Sequence, residues 1–426
     1  MSNVRPDLRF FSPNSMKKYF KLSRWKNSAK FRANVLRTRF MRWMLLKYPT
    51  LCLNQGIAQK VYTQPHEVGG LLLDSVILES ECISPSIYKL AHSYTFSQIY
   101  GPVYFSKFSK AEIIANSDLV KTCGGIYWYK GRHPAFPHMV PLDSNLIAHD
   151  GANSVIVKSD SKIEVYHKAV FSLLGVASGH WAHFLAQYFP KLRFIPQALK
   201  LAPNLVVVAS SRLDEQARFL LSDALSEFGL DNKVNFIDDL TLVKCDELFY
   251  ADHQSWIMDH GVSVSPLSVV IPKGVVDFLK NRFATVDFDR NYLIIKKIYL
   301  RRGGARSTSN IEEIDNIMLR HGFTVLDPST LTLQQKKSVF SQARFIVGQY
   351  GSGFTNILMC SPGCKVVAFS NTSRINDNYI AALRSICNVE FTLLIGVDHS
   401  PGDPHSSCSI SAVELEALLT EIETEY

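Results

Sequence analysis

Residues 343–370 read ARFIVGQYGSGFTNILMCSPGCKVVAFS. RFIV is a short apolar run with the character of a buried strand, and Gly348, Gly351 and Gly353 then break it. FTNILM is compatible with a helix, Ser-Pro-Gly stops it, and KVVAF is a second buried strand. The unit is therefore strand, glycine turn, short helix, strand. Such a turn aims backbone N–H groups and the positive end of a helix at whatever lies above the strand tips, which suits a phosphate. The same pattern also fits a tight turn in any α/β protein.

The alternation extends outward from this unit. YLIIKKIYLRR, residues 292–302, is a strand. A helix follows, with Ser309 as cap, Glu312 three residues on and Gly322 at its end. FTVLD is a strand and residues 331–342 a helix leading into the glycine turn. Beyond it, residues 374–387 read as helix, VEFTLLIG as strand, and residues 411–426 as an acidic helix opened by Ser411 and Glu414. An earlier stretch has the same rhythm: LVVVAS, an amphipathic helix over residues 213–228, then KVNFID and ELFYA. That helix places Leu213, Ala217, Leu220, Leu221, Ala224, Leu225 and Phe228 on one stripe. Residues 258–275, with two prolines and two glycines, read as a linker.

Strands and helices alternating at this spacing predict an α/β fold with parallel sheets covered on both faces, and two such halves predict a cleft at the carboxyl ends of their strands. The boundaries are an arm at residues 1–49, a first Rossmann-like domain at 50–270, a second at 271–408, and a closing helix at 409–426. Residues 50–150 are the least regular, with short β-like pieces (GLLLDSVIL, GPVYFS, GIYWYKG) among polar turns.

The chain has 426 residues, 46% of them hydrophobic and 20% charged, as in a globular protein with sizeable cores. No apolar run approaches the ~20 residues that span a bilayer, and no signal-peptide pattern precedes the basic start, so a cytoplasmic location is expected. The net charge of +8 is unevenly placed: residues 1–48 carry thirteen Lys and Arg against the single acid Asp7. Residues 14–47 are helix-compatible, with Phe20, Trp25, Phe31, Leu36, Phe40, Trp43 and Met44 among the basic groups. A basic helix with interleaved aromatics suits peripheral contact with the anionic inner face of the plasma membrane. It also suits a helix packed on the protein's own core. No nucleic-acid module follows it, so no nucleic-acid partner is expected. The eight cysteines have no C-x-x-C spacing and read as reduced thiols rather than zinc ligands.

Three groups of residues could carry chemistry. His180 and His183 share a face at helical spacing; no convincing third ligand accompanies them, so no metal is expected, and a histidine suits a general base near neutral pH. Two core aromatics on a helix also fit. Their helix starts at about His180 and is interrupted at Pro190. Arg301, Arg302 and Arg306 lie at a strand end beside two glycines, an arrangement suited to a diphosphate or to a solvated loop. In the glycine turn, Ser352 and Asn356 offer hydroxyl and amide contacts. The order G-x-x-G-x-G after the third strand of its half argues against a nicotinamide dinucleotide. Asp287 and Asp289 have D-x-D spacing, which is frequent by chance. Neither a G-x-S-x-G elbow nor a Walker loop is present.

Taken in order, these blocks resemble glycosyltransferase family 61, whose bacterial members are often labelled capsular polysaccharide biosynthesis proteins. The resemblance covers residues 165–370. It lies in His183-Phe-Leu-Ala-Gln-Tyr-Phe-Pro190-Lys-Leu192; in Arg301, Arg302, Arg306, Asn310 and Glu312; in Gln335 on the helix before the turn; in Gly348-Gln-Tyr350-Gly351-Ser352-Gly353-Phe-Thr-Asn356; and in Pro362-Gly363 with the strand after it. It implies a GT-B architecture and inverting, metal-independent transfer of a sugar from a nucleotide-sugar to a glycan or lipid-linked glycan acceptor, without a cofactor. His183, or His180 in its place, would be the base. Arg301, Arg302, Arg306, Gln335, Tyr350, Gly351, Ser352, Gly353 and Asn356 would hold the donor. The chain departs from the family in Gln187, where an acid is common; in Tyr350, where the turn commonly has His; and in Ala368, where an acid often ends the strand. These departures leave open a degenerate transferase fold that binds a glycan or partner without catalysis. An NAD(P)-dependent oxidoreductase remains a third reading.

Overall fold

A computed structural model describes residues 59–62, 64–83, 86–88, 95–129, 146–149, 154–157, 163–239, 241–257, 269–287, 289, 292–302, 307–372, 387–400 and 406–424, with Trp43, Met44 and Lys47. The body of the basic arm, residues 374–386 of the helix expected over residues 374–387, and Arg306 lie outside the described residues.

Strands β1 (Gln59–Tyr62), β2 (Leu71–Ile83), β3 (Ser86–Ile87), β4 (Thr95–Ile114), β5 (Val120–Thr122), β6 (Gly125–Tyr127), β7 (Leu146–His149), β8 (Ser154–Val157), β9 (Ile163–Ser172), β10 (Val206–Ser210), β11 (Val234–Ile237) and β12 (Thr241–Ala251) fill the first half. All but β3 form one sheet in the order β11-β10-β9-β12-β4-β5-β6-β1-β8-β7, with β2 paired to β4. β9 to β12 pair in parallel with one another, as do β1 and β6; β4 runs antiparallel to β12 and opens a meander. Where alternating strands and helices would give a parallel sheet throughout, four adjoining strands of this half are parallel, and apart from the β1–β6 pair the remaining pairings are antiparallel. The pieces GLLLDSVIL and GPVYFS are parts of long strands β2 and β4, whose pairing is shifted between Leu72 and Asp74 and between Val76 and Leu78. Two such shifts are bulges, which bend a long hairpin without ending it.

Between β9 and β10 lie helix α1 (Trp181–His183) and, beyond it, α2 (Ile195–Leu201). Helix α3 (Glu215–Ser226) connects β10 to β11, capped by the Asp214 carboxylate accepting from Ala217 N. Its predicted stripe is buried at Ala217, Leu220, Leu221, Ala224 and Leu225. After the pair β13 (Trp256–Ile257) and β14 (Val269–Val270), Pro272 caps helix α4 (Lys273–Thr285). The second proline and glycine of the expected linker are therefore a helix start, where proline's fixed φ fits.

The second sheet contains β15 (Lys297–Leu300), β16 (Thr324–Leu326), β17 (Phe345–Gln349), β18 (Lys365–Asn371), β19 (Glu390–Asp398) and β20 (Cys408–Ser409). Its order is β16-β15-β17-β18-β19-β20, parallel through β19. Every residue of β17 and β18 is buried, as a parallel strand covered on both faces requires. Helices α5 (Ile311–Arg320), α6 (Leu333–Gln342) and α7 (Ala412–Thr424) cover it. Ser411 caps α7 as read, through Glu414 N. Ser309 does not cap α5: Asn310 holds that position, and the Ser309 hydroxyl bonds to Cys408 O and Ser409 instead. A tertiary partner outcompeted the local capping box.

The halves are not separate in their packing. Phe171, Phe189 and Leu221 of the first share one apolar cluster with Val276, Leu300, Ile346 and Phe354 of the second. Strand β3, from the first half, joins the second sheet beside β19. The described cysteines 123, 245, 360, 364, 387 and 408 form no disulfide. No described helix is long and apolar enough to cross a membrane.

Candidate active site

Along the second sheet the strand order reverses between β15 and β17, and open parallel sheets bind ligands in the crevice at such a switch point. Both candidate phosphate groups end there. β15 runs into Arg301 and Arg302, and β17 runs into residues 350–353. The two strands approach so closely that a side chain at Gly348 would overlap the Leu300 carbonyl. A side chain at Gly351 would overlap the Arg302 guanidinium. Gly351 is extended (φ 172°), so glycine is needed there for space rather than for backbone conformation.

The two arginines diverge. Arg301 Nε lies 2.9 Å from Asp315 Oδ2 on α5 and is turned from the turn, whereas Arg302 lies against Gly351. Successive side chains at a strand end point to opposite sides, which separates their roles. The 3-10 helix Ser352–Met359 starts at the turn with Ser352 exposed and Gly353 half-buried. Asn356 is buried, and its amide donates to Gly353 O at 2.8 Å, fixing the turn from within. Tyr350 is 3% exposed and packs in the shared core, so its ring is not presented to the crevice surface. Gln335 Oε1 accepts from Thr332 N in the capping box of α6, which engages that carbonyl in starting the helix. Asp289 contributes its carbonyl to Ser338, and Asp287 is exposed near Lys337. Among the described residues no group of three or more His, Cys, Asp or Glu is gathered as for a metal ion.

The histidines sit on an irregular helical segment. Trp181–His183 is α-helical, Phe184–Tyr188 is a π-turn, Phe189–Phe194 is 3-10, and Ile195–Leu201 is α-helical again. Pro190 therefore changes the winding instead of interrupting the segment. π-turns within helices concentrate at functional sites. His180 is the exposed cap residue in extended conformation; His183 is half-buried in the first turn; their ring centroids are 6.4 Å apart. His183 Nδ1 lies 2.7 Å from Gln187 Oε1. Gln187, 2% exposed, reaches on with Nε2 to His253 Nδ1 at 3.0 Å. His253 Nε2 lies 3.3 Å from Asp118 Oδ1. The Tyr129 hydroxyl meets the same His253 Nδ1. Beneath these groups Lys191 is fully buried, its Nζ 5.0 Å from the Tyr188 ring and 4.9 Å from the Tyr250 ring, a cation between two π-faces.

Asp118 is held by two loops. Val176 N lies 3.4 Å from Asp118 Oδ1, and Ala177 N donates to Asn116 Oδ1 at 3.2 Å. Asn116 and Ala177 both have φ 61°, an unusual conformation for residues with a Cβ. Gly175 has φ 157°, and a Cβ there would overlap Asp118 Oδ1. Sequence reading did not find Asp118, Tyr129 or His253. They come from separated strands and loops, with no spacing to tie them to His183.

The two groups of candidates come from different sheets but meet. The turn Trp181–His183 packs directly on the helix Ser352–Met359. Lys336 of α6 reaches over the Trp181 ring, 4.9 Å from its centroid, and donates to Gln216 Oε1 of α3. Burial lowers the Lys336 pKa to about 8, an effect that Asp214 and Asp327 partly offset. The unfolded chain holds this proton up to about pH 10.4, so between about pH 8 and that value the unfolded state binds more protons. Stability contributed by this site therefore rises with pH across that window, and the cost of burying the charge is fully present below it. Lys336→Met is expected to raise the melting temperature relative to wild type more at pH 7 than at pH 9.5. A difference that is the same at both values would overturn this.

A glycine turn and an arginine at a switch point, facing a histidine-bearing helix from a second sheet, form an arrangement whose chemistry suits a phosphorylated ligand. The comparison with protein families narrows this: residues 181–367 match the model of Glycosyltransferase 61. Over that stretch the chain is similar to glycosyltransferase family 61. The matched stretch contains His183, Gln187, Arg302 and the glycine turn. No curated protein matches the chain. A glycosyltransferase binds a sugar donor and an acceptor.

Proposed function

We propose that the chain is an inverting, metal-independent glycosyltransferase of GT-B type that moves a sugar from a nucleotide-sugar to a growing surface polysaccharide or other glycan acceptor. The observation that supports this most is the meeting of the His183 turn with the helix Ser352–Met359, which follows Gly351 beside Arg302. Inverting transfer needs a base for the acceptor hydroxyl and positive charge on the departing diphosphate. His183 supplies the first. Arg302, the N–H groups of residues 351–353 and, from the stretch beyond the described residues, Arg306 supply the second. Ser352, Gly353 and Asn356 shape the turn around the phosphates. Arg301 reaches the donor only by leaving Asp315. Residues 50–270 bind the acceptor and residues 271–408 the donor. The basic arm, residues 14–47, brings the enzyme to an anionic membrane face in the cytoplasm, where lipid-linked acceptors are extended; failure of the full chain to bind anionic vesicles at low salt removes that step.

The direct test is thermal stabilisation of the purified chain by UDP, GDP, CDP, CMP, TDP, NAD and NADP, because a ligand that binds only the folded state raises its melting temperature. One nucleoside diphosphate is expected to do so. A response to NAD or NADP alone would overturn the transferase reading. A second reading, a non-catalytic binding protein, is favoured by the burial of Tyr350 where the family commonly has histidine. Hydrolysis of a nucleotide-sugar by the purified chain removes it.

A further inference from the structure

His183 has two ring nitrogens, and only one of them can serve as the base in a neutral ring. Which one is decided by a line of buried groups behind it. Asp118 Oδ1 faces His253 Nε2 at 3.3 Å, a close polar contact rather than an aligned hydrogen bond. A carboxylate accepts and does not donate, so it favours the proton on that nitrogen. The other nitrogen, His253 Nδ1, is approached by two donors, the Gln187 amide at 3.0 Å and the Tyr129 hydroxyl. A nitrogen met by two donors carries the lone pair. Both ends of His253 thus agree on a neutral ring protonated at Nε2.

The Gln187 amide has one donor end and one acceptor end. With its NH2 committed to His253, its carbonyl faces His183 Nδ1 at 2.7 Å. That oxygen can only accept, so the His183 proton lies on Nδ1 and the lone pair on Nε2. We infer that Asp118, His253 and Gln187 act as positioning residues that fix the tautomer of His183, with Nε2 as the basic nitrogen. Reversing the polarity at any link reverses it at the end: an amide turned about would present NH2 to His183 Nδ1 and place the proton on Nε2.

This inference rests on His183 as base for its functional meaning, but not for its geometry. It also gives Gln187 a role. The side chain is the acceptor for His183, as an acid would be, but without a negative charge. A carboxylate beside an imidazole favours the protonated ring, which is a poor base. A neutral amide orients the ring without that effect. The other ionisable groups around the line are His180 on the same turn, Tyr129 and Tyr188 against His253, Lys191 beneath Tyr188, and Lys336 above Trp181. None of these lies between His183 and Gln187.

The experiment is a pH titration of the full chain labelled with 15N in its histidines, read by long-range 1H–15N spectra that separate the two neutral tautomers. No substrate is required. The His183 resonances are assigned by their loss in His183→Gln. Wild type is expected to show His183 protonated at Nδ1. Gln187→Leu and His253→Phe are expected to give a mixed or reversed tautomer, the second without touching His183. Gln187→Glu is expected to keep the Nδ1–H form and to raise the His183 pKa by about 1 pH unit or more. Gln187→Glu is nearly isosteric and decides the matter if His253→Phe does not fold. The inference is overturned if wild-type His183 is protonated at Nε2, or if tautomer and pKa are the same in wild type and every folded variant. If instead His183→Ala retains transfer while the tautomer pattern holds, the catalytic reading fails and the relay stands.

Discussion

Replacing His183 with alanine is expected to reduce transfer by roughly 10²- to 10⁴-fold, the range for removal of a general base, and to leave nucleotide binding unchanged. The separation follows from where the groups sit. His183 is on the turn after β9, in the first half, whereas Arg302 and residues 351–353 end strands of the second sheet. His183 faces Gln187 and so draws its orientation from the first half as well. Turnover measured with the stabilising nucleotide's sugar derivative, beside the melting shift given by the nucleotide itself, checks both parts. Wild-type turnover in His183→Ala would remove the assignment. Loss of the nucleotide-dependent melting shift would mean that His183 binds the donor rather than deprotonating the acceptor. His180→Ala is expected to cost less, because His180 lies exposed at the helix cap, outside the line that orients His183.

Much of the second half was legible in the sequence because its signals are local. A buried parallel strand is a continuous apolar run, and β17 and β18 appear as RFIV and KVVAF. The helix stripe from Ala217 to Leu225 also needed only a period of 3.6. The first half was harder because its long strands carry bulges and internal breaks. The β-like piece GPVYFS starts at Gly101, yet β4 begins at Thr95 and passes through Gly101 and Pro102. At the site, Arg302 and Gly351 could be brought together in advance because both end neighbouring strands of one unit. Arg301 and Arg302 could not be told apart without seeing that Asp315 takes the first. Asp118 and His253 left no local trace, since a buried polar contact needs only proximity in space. Gln187 was visible as a departure from the family, but its meaning depends on which atoms face His183 and His253.

Arg302→Ala is expected to weaken donor binding by about 1.5–3 kcal/mol, the worth of a charge-assisted hydrogen bond. That corresponds to roughly tenfold to a hundredfold in the dissociation constant. Truncation alone does not show that position matters, since losing any cation near a diphosphate weakens binding. Gly351→Ala supplies that test. Its added methyl overlaps the end of the Arg302 side chain and not the backbone, so the flexible guanidinium moves aside and the fold is kept. The extended backbone at Gly351 accepts alanine without strain. A variant that retains the arginine and its charge but displaces it is therefore expected to lose a large part of the same affinity, with little change in melting temperature. In the double variant Arg302→Ala, Gly351→Ala the two losses are expected not to add, because both act through one contact. Additive losses would mean that the turn holds the donor independently of Arg302. Unchanged donor affinity in both single variants would move the diphosphate away from the switch point between β15 and β17.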